Sequence, residues 1–161
     1  MTPEQSHPTP VVGIIGYGSQ GRAIARNIQD SGWNAIVALR EDSKTRERAR
    51  DDGIIQIETI SSTVQQSDVI VFAFPDHRHG VVYRREIKPR LKPGSTLLFL
   101  HGLSIHFALV EPPDDVDIIM IAPHGPGVAL RELYERRSSD MSAFSSIHQD
   151  SSGSAEGILL S

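Results

Sequence analysis

The stretch that most constrains this chain is Val11 to Gly21, which reads VVGIIGYGSQG. A short apolar run, Val11–Ile15, ends in Gly16-Tyr17-Gly18-Ser19-Gln20-Gly21, a G-x-G-x-x-G spacing between a predicted strand and a predicted helix. Each glycine answers a physical need. Gly16 permits the tight strand-to-helix turn, Gly18 lets a pyrophosphate approach the backbone, and Gly21 lets the helix lie close to the strand. The helix N-terminus then offers unpaired N–H groups and partial positive charge to phosphate oxygens. A lone fingerprint of this kind is weak evidence, because glycines also cluster in ordinary turns. Here the apolar run before it and the helical pattern after it supply the required context.

The rest of the chain repeats that alternation. Strands are expected at about 11–15, 33–39, 54–57, 68–74, 95–101, 116–122 and 143–149. Helices are expected at about 19–30, 44–52, 61–67, 80–90, 105–110 and 128–137, with another beginning at 152. The segments DVIVFAF and STLLFLH are near-continuous apolar runs, as strands covered on both faces require. Strands alternating with helices predict an α/β fold of the Rossmann type: a doubly wound, mostly parallel sheet with helices on both faces. Residues 1–10, with three prolines and no periodicity, read as a flexible N-terminal arm, and 11–161 as one dinucleotide-binding domain. A chain of 161 residues suits one domain with a real core rather than two.

Composition narrows the function. The net charge of −4 argues against a nucleic-acid binder, which needs a basic surface. The absence of cysteine excludes a disulfide scaffold, a thiolate metal site and a cysteine nucleophile. The N-terminus lacks the form of a signal peptide and no apolar run approaches a membrane span, so a cytoplasmic location with no membrane partner is expected.

In such folds ligands sit at the carboxyl ends of the strands, and the chemically suggestive residues fall there: Arg40, Asp76, His101 and the segment His124 to Gly127. The end of the second strand meets the adenosine ribose. An acidic residue there would hold the 2′-hydroxyl of NAD, whereas Arg40 suits the 2′-phosphate of NADP, with Ser43, Lys44 and Thr45 beside it. Arg40 makes NADPH the favoured cofactor, while Glu41 and Asp42, either of which could accept from a ribose hydroxyl and repel a phosphate, keep NADH as the alternative. His101 ends a buried strand, where a histidine is as readily structural as catalytic. His77 and His79 alternate as on a strand face, with His124 a possible third metal ligand. Arg78 between them opposes a cation, and a loop facing solvent or nucleotide is the preferred reading. Ser19 is a phosphate donor and not a nucleophile, since no base is paired with it. Asp114-Asp115 follow Pro112-Pro113 as a solvated turn.

Six motifs occur in order: Gly16-Tyr17-Gly18-Ser19-Gln20-Gly21, Leu39-Arg40-Glu41-x-Ser43-Lys44, Pro75-Asp76, His101-Gly102-x-x-Ile105-His106-Phe107, Ala122-Pro123-x-Gly125-Pro126-Gly127 and His148-Gln149-Asp150-x-Ser152-Gly153. Together the chain closely resembles the N-terminal NADP-binding domain of ketol-acid reductoisomerase, also called acetohydroxy-acid isomeroreductase, over about 11–161. The resemblance implies an oxidoreductase of branched-chain amino acid biosynthesis (isoleucine and valine). With two Mg²⁺ ions it shifts an alkyl group in an acetohydroxy acid, then reduces the resulting keto acid with NADPH. Carried over by position, Gly16, Tyr17, Gly18, Ser19, Gln20 and Gly21 would line the pyrophosphate. Arg40, Ser43 and Thr45 would bind the 2′-phosphate, and Asp76, His77, Arg78 and His79 would lie beside the adenosine and ribose. His101 would be the active-site histidine and Gly127 a cofactor-contacting glycine.

The sequence departs from the family pattern in two places. His124 stands where the family has a lysine, exchanging a fixed cation for a shorter group with a pKa near neutrality. His77-Arg78-His79 replace the family's usual side chains. The resemblance also implies an all-α C-terminal domain that supplies the acidic Mg²⁺ ligands and much of the substrate pocket, and no counterpart to it is found within 1–161. The chain is therefore expected to hold NADPH, to carry no metal ligands of its own, and to need a helical domain, possibly on a separate chain, for turnover. A stand-alone non-catalytic NADP-binding module and a small metal-independent NADP-dependent reductase are the competing readings.

Overall fold

The structure is a computed structural model that describes residues 9–161, so most of the expected N-terminal arm lies outside the described residues. Seven strands form one sheet: β1 (Val12–Ile15), β2 (Ala35–Ala38), β3 (Gln56–Glu58), β4 (Val69–Phe72), β5 (Thr96–Phe99), β6 (Asp117–Pro123) and β7 (Ala143–Gln149). Their spatial order is β3-β2-β1-β4-β5-β6-β7. All neighbours are parallel except β6 and β7. This is the doubly wound order with an antiparallel strand added at one edge, and the winding reverses between β1 and β4.

Strands β1, β2 and β4 are buried at every residue, as strands covered on both faces should be. Side chains alternate between two cores. Val12, Ile14, Val37, Val69 and Val71 pack on one face with α1 (Ser19–Asp30) and α2 (Thr45–Asp51). Ile15, Ile70, Phe72, Leu97 and Phe99 pack on the other with α3 (Ile60–Gln66) and a long helical run after β4. That run starts with a 3-10 turn, Asp76–Arg78, continues as α4 (His79–Val82) and loosens to π geometry over Tyr83–Ile87. A last 3-10 turn, Lys88–Arg90, ends it. It begins earlier than the expected 80–90 because Pro75 sets the turn directly after the strand.

Other boundaries moved for identifiable reasons. β3 begins at Gln56 and not at Ile54, because Ile54 closes α2: its N–H donates to the Ala49 carbonyl after Gly53 at φ +81°. The short helix after β5 is α5 (Leu103–His106) rather than 105–110. Ala108 turns the chain at φ 50°, and the N–H groups of Leu109 and Val110 both return to the Ser104 carbonyl. The chain finishes with α6 (Gly127–Glu135) and α7 (Ala155–Leu160).

β7 is fastened by buried Asp117, whose carboxylate accepts from the Ser151 and Ser152 N–H groups and the Ser152 hydroxyl. Gln149 donates to the Pro113 and Val116 carbonyls. The His148-to-Gly153 motif is thus a structural clasp. β7 is nevertheless exposed along most of its length. An apolar groove of about 380 Å³ opens beside it, lined among others by Ile24, Ile28, Leu98, Leu100, Ile121 and Ile158. Among the described residues no helix is long and apolar enough to cross a membrane.

Gly13 shows how tightly β1 is covered. A Cβ added there would lie 2.3 Å from Ser67 Oγ and 2.6 Å from Thr63 Cγ2. Gly13→Ala is expected to destabilise the domain by about 1–3 kcal/mol through overpacking, read as a lower denaturant midpoint at unchanged slope. An unchanged midpoint would contradict this packing.

Candidate functional site

The turn after β1 is closed by backbone against backbone. Gly16 has φ +100°, and a Cβ on it would lie 2.5 Å from the Ala73 carbonyl oxygen. A Cβ on Gly21 would lie 2.5 Å from the Gly16 carbonyl oxygen. Gly18 is the opposite case, with no atom within 4 Å of where its Cβ would point. Gly18 is also the N-cap of α1 and provides no side-chain cap. The first turn of a twelve-residue helix is therefore left without a side-chain cap, beside a residue whose Cβ position is open.

A second glycine motif is pressed against the first. A Cβ on Gly127, at the start of α6, would fall 2.0 Å from the Ser19 carbonyl oxygen and 2.8 Å from Gln20 N. Gln20 Nε2 donates to the Gly125 carbonyl at 2.7 Å. Farther along, Arg131 donates to Asn27 Oδ1 at 2.9 Å and to Asp30 at 2.5 Å, while the Ser31 and Tyr134 hydroxyls meet at 2.7 Å. The two helices are joined along their length, so the 16–21 and 125–127 turns form one rigid rim. Among the described residues, Gln20 Oε1 is buried in this rim without a hydrogen-bond partner.

Tyr17 does not point to the open side. Its ring is buried, and its hydroxyl donates to Asp52 Oδ2 at 3.0 Å. Arg22 binds the same carboxylate through both oxygens, at 2.6 and 2.5 Å. Only the backbone of Tyr17 is left for a ligand. Burial, reinforced by the Asp52 hydrogen bond, pushes the phenol well above its usual range. The paired Arg22 guanidinium holds the Asp52 carboxyl below the usual carboxylate range. Nothing in the sequence singled out Asp52, which closes the charged run 44–52 that otherwise reads as a surface helix.

At the end of β2, Arg40 is exposed, with its Nε 3.8 Å from an Asp42 carboxylate oxygen. The Ser43 N–H donates to the Arg40 carbonyl, and Ser43 Oγ accepts from the Thr45 N–H at 3.3 Å. Arg46 anchors this loop by donating to the carbonyls of Leu39 and Ile57. A recess of about 310 Å³ lined by Ser43, Lys44, Arg46 and Arg50, together with Glu41, Asp42 and Glu47, lies beside it.

Across the switch point, Asp76 and His101 meet at 2.9 Å between Oδ1 and Nε2. Both are partly exposed. His77 and Arg78 are exposed, but His79 corrects the expectation that it lies in a loop facing solvent or nucleotide. It starts α4 and is 2% exposed, with Nε2 2.8 Å from the Phe74 carbonyl and Nδ1 2.7 Å from Ser104 Oγ. Both ring nitrogens are used inside the protein, which leaves none for a cofactor. Desolvation by burial lowers its pKa, against the Phe74 carbonyl and Asp76, which raise it. The alternation that suggested a strand face came from a 3-10 turn running into a helix.

His124 turns toward β7, with Nδ1 2.8 Å from Ser142 Oγ and its ring edge-on to Phe144. His77, His79 and His124 form no metal site: among the described residues no group of three or more His, Asp or Glu side chains is gathered to hold a metal ion.

The chain matches the family described as acetohydroxy acid isomeroreductase, NADPH-binding domain, over residues 9–161. Ketol-acid reductoisomerase (NADP(+)) of Saccharolobus islandicus strain Y.G.57.14 is 44% identical over 144 residues, which make up 89% of this chain and 42% of that protein. The enzyme of strain Y.N.15.51 matches equally well. The chain spans less than half the length of these relatives. Among solved structures, an NADH-preferring ketol-acid reductoisomerase from an uncultured archaeon superimposes with a TM-score of 0.87 at 33% identity, over 94% of this chain and 46% of that one. A 3-hydroxyisobutyrate dehydrogenase of Mycobacterium tuberculosis, at 9% identity and a TM-score of 0.67, shares the fold alone.

The Asp52 geometry sets a pH signature. A depressed native pKa means that the stabilisation is fully present above the unfolded carboxylate value, about 4, and is lost as pH falls through the native one. Asp52→Asn should therefore lower the melting temperature by a few degrees at pH 7, with the gap to wild type closing below about pH 4. A gap that stays constant down to pH 3 would rule this out.

Proposed function

This chain belongs to the NADPH-binding-domain family of acetohydroxy acid isomeroreductase, and we propose that it holds NADPH across the β1–β4 switch point as the cofactor half of a ketol-acid reductoisomerase. The observation that carries the reading is the uncapped N-terminus of α1 over Gly18, with exposed Arg40 at the end of the neighbouring strand. The N–H groups at Gly18 to Gly21 would take the pyrophosphate, where a helix N-terminus favours anions. Arg40 would take the 2′-phosphate through its fork of N–H donors, aided by Ser43 and Thr45. Asp76, His77 and Arg78 would border the adenosine ribose, and Gly127 would close the far side.

NADPH, when bound, supplies the hydride that reduces the migrated keto acid. The part assigned to this chain is to hold the cofactor in one orientation and to present His101 at the carboxyl end of β5 for proton handling. Mg²⁺ and most of the acetohydroxy acid pocket belong to a helical domain supplied in addition to these residues, as the relatives' greater length supports. The open apolar groove between α1 and α7, bordered by β5 and β6, is where such a domain would dock.

Arg40→Glu tests the cofactor assignment. Losing a charge-assisted phosphate contact should weaken NADPH binding about ten- to a hundredfold while changing NADH much less, read by fluorescence titration of the purified chain. Equal losses for both would remove Arg40 as the reader of the 2′ group. Mg²⁺-dependent conversion of an acetohydroxy acid by the 161-residue chain alone would overturn the need for a second domain.

A further inference from the structure

Asp76 stands between two histidines. Its Oδ1 is 2.9 Å from Nε2 of exposed His101 and 3.6 Å from Nε2 of buried His79. The two histidines are bound differently. His79 sits among the rings of Phe72, Phe74 and Phe99, with ring centroids 5.2, 4.5 and 6.3 Å away. Its two nitrogens reach the Phe74 carbonyl and the Ser104 hydroxyl, so it joins the chain just before Asp76 to the second residue of α5. The residue before Ser104 is Leu103, whose N–H faces His101 Nδ1 at 3.4 Å. A peptide N–H can only donate, so Nδ1 must be the acceptor and the proton of the neutral His101 ring lies on Nε2. That proton is the one the Asp76 carboxylate accepts.

We propose that Asp76 is a positioning residue for His101, fixing its ring and its Nε2–H tautomer, and that His79 holds Asp76 and α5 in register so that this can happen. The inference rests on the reading of His101 as the proton-handling group, and it gives Asp76 a role besides bordering the cofactor. The carboxylate acts through His101. It orients the imidazole and stabilises any positive charge the ring acquires. The clamp leaves the Asp76 oxygen to His101, because both His79 nitrogens are engaged by the Phe74 carbonyl and the Ser104 hydroxyl. The charged and titratable groups that act on His79 are Asp76, His101 and His77.

The test uses the ¹⁵N-labelled chain without cofactor. In the wild type, His101 should give a one-bond Nε2–H correlation protected from exchange, together with an unprotonated Nδ1. Asp76→Ala should lose that protected signal. Asp76→Asn should keep it, since the carboxamide oxygen still accepts. Ser104→Ala, which frees one side of the His79 clamp, should weaken the protection without unfolding the domain. A protected His101 Nε2–H that survives in Asp76→Ala overturns the proposal. A tenfold loss of NADPH affinity with the His101 signal unchanged also overturns it, making Asp76 a cofactor ligand alone. A wild-type chain that fails to bind NADPH refutes the cofactor reading, while the His101 signal still decides the role of Asp76.

Discussion

Three close approaches of backbone to backbone hold the site together: Gly16 on Ala73, Gly21 on Gly16, and Gly127 on Ser19. None leaves room for a methyl group. Their effect is cumulative. The first brings β1 against the segment that follows β4, the second lays α1 on that turn, and the third brings α6 onto the start of α1. Beside these contacts the Cβ position of Gly18 is open among the described residues. A binding surface made of main chain is rigid in a way a surface of long side chains is not, since no rotamer entropy is lost when a ligand arrives.

The remaining polar contacts brace that frame from outside. Tyr17, the one bulky residue within the fingerprint, is turned inward and tied to Asp52, which Arg22 also grips. The glycine turn is thereby fixed to the end of α2, and α2 carries Thr45 and follows the Arg40 loop. On the opposite side, His79 ties the exit of β4 to α5. The glycine turn, the Arg40 loop and the His101 loop arise on different strands. Each is anchored to its neighbour by a buried or half-buried polar contact, and together they make one site.

Much of this was legible in the sequence. Period-two and continuous apolar runs set the strands, and glycines between them set the winding, because burial on both faces leaves a parallel strand little other composition. The carboxyl-end rule placed Arg40, Asp76, His101 and Gly127 on one side of the sheet. The inward turn of Tyr17 and its partner Asp52 were not legible: thirty-five residues separate them, and Asp52 ends a run of charges that reads as solvated. His79 misled for a related reason. Its spacing from His77 fits a strand, but Pro75 starts a helical turn in which a two-residue step puts the rings on different sides. Ile54 looked like strand and served as a helix stop, because one apolar residue after a glycine fits both patterns.

The central claim is that the rim formed by the 16–21 and 125–127 turns, with the Arg40 loop, receives NADPH. Amide ¹H–¹⁵N spectra of the labelled chain, titrated with NADPH, test it most directly. The account predicts saturable shifts concentrated at Gly18 to Gly21, Arg40 to Thr45 and Gly125 to Gly127, with α7 and β3 silent. Shifts confined to the apolar groove beside β7, or none at all at millimolar NADPH, would contradict it.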